Sequence, residues 1–227
     1  MSETLRSPQG GKGTLGYLRE RISIGSFLFM AVLAVAGFLR VYKLGEVPPG
    51  LHYDEGANAL LASAIAKDEF HPIFIEPYCG KEVLFFYLAA GTMRLFGPTL
   101  FALRLTAALV ATLTVAITYQ MTRELAWEED WATQWMALGS AALLAISFWH
   151  LTFSRYGFRA ITQPFAQGLT LTCLWRGLRR RSWRWMVLGG ICLGLTGYTY
   201  LAARVFPLAL VPLFGTLLAG DRLKRRE

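Results

Sequence analysis

The stretch "GLHYDEGANALLASAIAKDEF", Gly50 to Phe70, carries the residues best suited to chemistry. Asp54 and Glu55 stand side by side, directly after a long apolar run and the stiff approach Pro48-Pro49-Gly50. A carboxylate at a lipid boundary is placed to act as a general base, taking the proton of a hydroxyl or amine acceptor as that acceptor attacks. Partial burial tunes such basicity. The competing reading is helix capping, since carboxylates suit the first turn of a helix. Lys81, in "EPYCGKEVLFFYL", precedes a surface-lying apolar segment. An ammonium there either snorkels to headgroups or holds a lipid-linked phosphate while the lipid tail runs beside the helix. His150, Arg155 and Arg159 cluster in "FWHLTFSRYGFRAITQPF". An arginine pair four residues apart on one helical face suits phosphate or pyrophosphate, and the alternative is anchoring to phospholipid. Arg104 and Arg204 are further cations expected on the same side.

No Gly-rich phosphate loop, HExxH or GxSxG motif is present. His52, His71 and His150 are too scattered to argue for a metal, although His71 and Glu76 could meet one. No cofactor is expected, and a divalent metal is an option that no ligand pattern indicates. The cysteines, Cys79, Cys173 and Cys192, fit neither a zinc site nor a disulfide framework. Cys173 and Cys192 read as small core residues.

The elements that must position these groups are membrane helices. Of 227 residues 54% are hydrophobic, and the mean hydropathy is +0.39. The apolar residues fall in runs long enough to cross a bilayer. The expected fold is therefore all-α, a polytopic transmembrane helical bundle. The net charge of +8 sits in clusters beside those runs, which is the pattern that orients membrane helices. Nucleic acid is accordingly not an expected partner. Six spans are expected: Ile22–Leu39, Phe101–Met121, Ala132–Leu151, Phe158–Trp175, Trp185–Leu201 and Val205–Ala219. A cleavable signal peptide competes for the first run, but the apolar stretch continues beyond Ala34-Val35-Ala36.

Val83–Gly97 carries Arg94, ends at Gly97-Pro98 and is short for a crossing, so it is expected as a juxtamembrane or re-entrant helix. That choice keeps the N-terminal tail, the loop "RGLRRRSWR" and the basic end "DRLKRRE" together on the cytoplasmic side. The acidic "RELAWEEDW" falls on the same side, where acidic residues count little in orientation. The expected organisation is a cytoplasmic tail over residues 1–21, a transmembrane module over 22–219 with its first outer loop at 40–100, and a cytoplasmic basic tail over 220–227. In that outer loop "DEGANALLASAIAKDEF" reads as an amphipathic surface helix, with Leu60, Leu61, Ala64 and Ile65 as its apolar stripe. The expected location is a bacterial-type inner membrane, with the active site on the outer face.

The order of these parts resembles the N-terminal region of the GT-C membrane glycosyltransferases. The similar segments are one span, "HYDEGANALLASAI", "EPYCGKEVLFFYLAAGTMRLFG", "FALRLTAALVATLTVAITYQMTREL" and "FWHLTFSRYGFRA". The nearest likeness is to the protein O-mannosyltransferases and the bacterial aminoarabinose and undecaprenyl-sugar transferases, over about residues 20 to 215. The resemblance implies transfer of a sugar from a polyprenyl-phosphate donor, on the outer face, to a protein, lipid or glycan acceptor not identified by the sequence. It implies Asp54 as the catalytic carboxylate, with Glu55 as the second member of the pair. It implies Lys81 at the donor phosphate, Arg155 and Arg159 in the phosphate environment, and His52 and Tyr53 of the same motif as substrate contacts. Two departures stand out. Relatives are usually about twice as long, which predicts a fragment or a module that works with a partner. Lys81 is followed by Glu-Val where relatives often carry prolines. The alternative to a transferase is a non-catalytic subunit that binds lipid phosphate with the same cations.

Overall fold

The computed structural model describes residues 14–76, 80–126 and 130–224, with side chains over 24–76, 80–126 and 130–216. Helix α1 spans Thr14–Val41 and α2 spans Tyr53–Ala66. A two-stranded antiparallel ribbon follows, β1 (Phe74–Ile75) with β2 (Lys81–Glu82), pairing Phe74 with Glu82 and Ile75 with Lys81. Then come α3 (Leu84–Phe96), α4 (Leu100–Leu125), α5 (Trp131–Ile146) and α6 (Phe148–Arg155). A 3₁₀ turn at Arg159–Ile161 leads into α7 (Thr162–Arg179), which is followed by α8 (Trp183–Thr196). A second 3₁₀ turn at Leu201–Val205 leads into α9 (Phe206–Lys224). Helix α1 reaches back into the stretch expected as a tail. The basic groups at Arg6, Lys12, Arg225 and Arg226, the acidic Glu128 and Glu129, and Cys79 lie outside the described residues.

Each of the six expected runs is largely helical, although Ala132–Leu151 is broken and Trp185–Leu201 loses its helix after Thr196. Ile24–Val41 of α1 and the whole of α4 are long and apolar enough to cross a membrane, and α5 with α6 reaches that length as a pair bent by 54°. The remaining runs meet the length and composition of a crossing less well. Helix α7 carries Gln163, Gln167, Thr170 and Thr172 along its length, and α8 ends after 14 residues. Helix α3, with 13 residues, is about 20 Å long at 1.5 Å per residue. It is short for a crossing and packs against α2 and α4.

The run expected as one span, Ala132–Leu151, breaks at Ser147, whose ψ of 121° leaves the helical region. A break strands the last carbonyls of α5. Arg40, fully buried at the end of α1, answers them by donating to Leu144 O (3.4 Å) and Ala145 O (3.2 Å), and its Nη2 lies 2.9 Å from His150 Nδ1. A guanidinium at a helix C-terminus also suits the helix dipole.

Helix α4 runs through the middle of the bundle. One core joins it to α2 and α3 through Ala62, Ile65, Phe85, Phe86, Ala107 and Ala111. A second joins it to α1 and α5 through Ala36, Val115, Tyr119, Ala137 and Ala141. The alanines let helix backbones approach closely, as membrane bundles favour. At the far end of α4, Glu124 pairs with Arg176 of α7, whose guanidinium lies over the Trp185 ring at 4.5 Å. An acidic residue at the start of that connection is thus paired with the first arginine of the basic segment expected on the same side.

Helix α2 corrects one expectation. Its buried face is Glu55, Asn58, Ala62 and Ile65, whereas Leu60 is 70% exposed. The helix turns its two buried polar residues inward because partners wait for them there. Arg94 of α3 secures the other end by donating to Ala66 O (3.0 Å) and pairing with Asp68. A hydrogen bond with His71, followed by the Arg94 guanidinium, holds the Asp68 carboxyl below its usual range.

Candidate functional site

The first turn of α2 is set by local chemistry. Gly50, with φ of 80°, turns the chain out of the Pro-Pro approach. His52 caps the helix, its Nδ1 accepting from Asp54 N at 3.3 Å. Asp54 and Glu55 both fall in the first turn, where the free N–H groups favour carboxylates. Their side chains then part. Glu55 enters the bundle, while Asp54 stays half-buried beside the exposed His52 and Tyr53. Among the described residues, the Asp54 carboxylate has neither a hydrogen-bond nor an ion-pair partner.

Glu55 is the hub of a buried network. Arg104 of α4 grips it with two hydrogen bonds, Nε to Oε1 at 2.7 Å and Nη2 to Oε2 at 2.9 Å, and both side chains are 1% exposed. Arg104 also donates to Leu44 O (3.4 Å), Pro48 O (3.0 Å) and Gly50 O (2.9 Å). It thereby fixes the loop that delivers Asp54. Glu55 Oε1 further accepts from Gly157 N at 3.0 Å. Gly157 O accepts from Asn58 Nδ2 at 2.8 Å, and Asn58 Oδ1 accepts from Lys81 Nζ at 2.9 Å. Asn58 lies one helical turn beyond Asp54 on α2, so the chain of contacts ties Lys81 to the helix that carries Asp54.

Gly157 has no room for a side chain. A Cβ there would stand 2.3 Å from Leu103 Cδ2, 2.5 Å from Leu103 Cγ and 3.4 Å from Glu55 Cγ. Gly157→Ala is expected to destabilise the protein by about 1–3 kcal/mol through overpacking. Its thermal midpoint in detergent checks this, and an unchanged midpoint would show that Leu103 yields freely.

The two arginines expected on one helical face are not on one helix. Arg155 ends α6, and the segment Tyr156–Phe158 leaves helical geometry before Arg159 opens the 3₁₀ turn. Arg155 donates to Leu39 O (2.7 Å) and Arg40 O (3.3 Å) through Nη1, and to Tyr42 O (2.8 Å) and Val47 O (2.9 Å) through Nη2. It clasps the end of α1 and the loop beyond. Arg159 instead faces β2, with its Nε 3.6 Å from Glu82 Oε2 and its guanidinium 5.2 Å from the Tyr200 ring centre. Arg204 approaches the same carboxylate, Nη2 to Oε1 at 3.4 Å. A cavity of about 280 Å³ opens between His52, Glu55, Thr152, Phe153, Tyr156 and Phe158.

Asn58, Glu82 and Gly157 are members of this site that sequence reasoning missed. Asn58 and Glu55 form an i, i+3 polar pair on an otherwise small, apolar helix face, which is the signal that could have found Asn58; Glu82 and Gly157 carry no comparable local signal. Among the described residues no group of three His, Cys, Asp or Glu side chains converges.

The family model for dolichyl-phosphate-mannose-protein mannosyltransferases matches residues 52–219. No curated protein matches the chain. The matched span begins at the His52 cap and takes in Glu55, Asn58, Lys81, Arg104 and Gly157, while the loop carbonyls that Arg104 holds at Leu44, Pro48 and Gly50 precede it.

Proposed function

The chain belongs to the dolichyl-phosphate-mannose-protein mannosyltransferase family, membrane glycosyltransferases that use a dolichyl-phosphate sugar, and from that premise we propose that Asp54 is the base of a sugar transfer at the outer membrane face. Dolichyl phosphate is one kind of polyprenyl phosphate, and the proposal covers donors of that class. The acceptor is a hydroxyl or amine of a protein, lipid or glycan. Its heteroatom bonds to the anomeric carbon as the bond from that carbon to the phosphate oxygen breaks. The proton passes to Asp54, and the lipid phosphate leaves with the electron pair. Arg159 offsets the charge that grows on the leaving phosphate, while Lys81 is held against Asn58.

The observation that carries this reading is the contrast within the acidic pair. Glu55 is committed to Arg104 and Gly157, whereas Asp54 is partly open and unpartnered. Asp54 is therefore the carboxylate with a free lone pair to offer. Glu55 acts as a positioning residue, and Arg155 belongs to the same scaffold. The small cavity, lined by His52, Glu55 and the Phe153, Tyr156 and Phe158 rings, is the room this reading gives to a sugar ring or acceptor near the first turn of α2, where Tyr53 is exposed. The step as drawn uses side chains alone.

The test is turnover. The purified full chain in lipid, given a radiolabelled polyprenyl-phosphate hexose and a hydroxyl acceptor, is expected to release the hexose from the lipid. Donor bound but never consumed would reduce the chain to a module that holds lipid phosphate for another protein's chemistry.

A further inference from the structure

Glu82 has no part in the transfer drawn above, yet it sits at the centre of the cations that flank it. It is 3% exposed and follows Lys81 on β2. Successive strand residues point to opposite faces, so Lys81 meets Asn58 on α2 while Glu82 meets Arg159 and Arg204. Those two arginines come from separate 3₁₀ turns. Both contacts are long, at 3.6 Å and 3.4 Å, against 2.7 Å for Arg104 on Glu55. Glu82 Oε2 and Arg159 Nε are both buried and both lack a hydrogen-bond partner. Buried polar atoms are normally satisfied, and an unsatisfied donor beside an unsatisfied acceptor calls for an explanation. Tyr200 supports Arg159 from one side, while Arg204 is 54% exposed and free to swing.

We infer that Arg159 and Arg204 form the clamp for the donor phosphate, and that Glu82 sets the charge the clamp accepts. This rests on reading the site as a lipid-phosphate-sugar transferase. The incoming phosphate oxygen satisfies Arg159 Nε and draws in Arg204, and Glu82 stays behind them as a fixed counter-charge. Two guanidinium groups and one carboxylate carry a formal charge of +1. A phosphate diester joining one lipid to one sugar carries −1 and matches it. A lipid diphosphate-sugar carries a second negative charge, which would lie against Glu82. Rejection by an opposing like charge is a common source of specificity. Glu82 is thus a specificity-determining residue, selecting sugar donors linked through one phosphate over those linked through two.

The experiment compares binding of two probes to the full chain in lipid nanodiscs. They are a polyprenyl monophosphate-hexose and a polyprenyl diphosphate-hexose with the same lipid and sugar. Wild type is expected to prefer the monophosphate. In Glu82→Gln the preference falls by about tenfold, the scale of one short-range charge in a partly solvated site. Glu82→Asp retains it. Arg204→Gln, at a half-exposed position that folding tolerates, shifts the balance the other way by weakening the diphosphate probe more. A preference unchanged in Glu82→Gln with both probes still bound, or equal weakening of both by Arg204→Gln, overturns the role of Glu82 and leaves the transferase reading intact. Wild type that binds neither probe overturns both.

Discussion

Asp54→Asn is expected to bind a polyprenyl-phosphate hexose as wild type does and to transfer the sugar about 10²–10⁴-fold more slowly, the usual contribution of a general base. The substitution is nearly isosteric and removes only the ability to take a proton. The wild-type carboxylate makes no hydrogen bond or ion pair among the described residues, so no folded-state contact is lost. The His52 cap bonds the backbone N–H of residue 54, not its side chain, and survives. Stability is therefore expected within about 0.5 kcal/mol of wild type, as for substitutions away from buried features. Side-by-side measurement of donor binding, sugar release and thermal midpoint separates these quantities. Undiminished release in the variant would remove Asp54 from the chemistry. Lost binding would make it a donor contact instead of a base.

What the sequence discloses about this site divides by range. The start of α2 is legible because its signals are local: a Pro-Pro-Gly approach, an acidic pair and a following apolar period. The shortness of α3 is legible for the same reason, since Gly97-Pro98 closes it. The buried face of α2 is not, because it is chosen by partners far along the chain. Glu55 meets Arg104, 49 residues away, and Asn58 meets Lys81, 23 residues away. An apolar stripe through Leu60 satisfies the periodicity, but these two polar contacts rotate the helix away from it. The break between α5 and α6 is likewise hidden. The residues around Ser147 read as one apolar run, and the guanidinium that receives the stranded carbonyls belongs to α1, more than 100 residues earlier. Arg155 and Arg159 mislead for a related reason. Four residues apart implies one face only if the helix continues, and here Gly157 instead threads its backbone between Glu55 and Asn58.

Replacing either member of the Arg104–Glu55 pair by alanine is expected to lower stability by about 3–5 kcal/mol, because each leaves an uncompensated charge in a buried place. A domain stable by only about 5–15 kcal/mol then loses a large share of its margin. Arg104→Ala acts through more than Glu55. It also strands the carbonyls of Leu44, Pro48 and Gly50, and so frees the loop that carries Asp54. Arg104→Lys is a poor substitute, since an ammonium does not reproduce the planar fork that grips both carboxylate oxygens and three carbonyls together. Glu55→Gln keeps one acceptor for Gly157 N but leaves the guanidinium uncompensated, so it falls between wild type and alanine. A double-mutant cycle on Arg104→Ala and Glu55→Ala, read as thermal midpoints in detergent, is expected to show strong coupling, as for residues of one network. This measurement also decides the role of Glu55. Large loss of stability with residual activity in proportion to folded protein makes Glu55 the scaffold of Asp54. A stable Glu55→Ala that no longer transfers sugar would instead bring Glu55 out of the bundle and into the reaction, and the open position of Asp54 would then need another explanation.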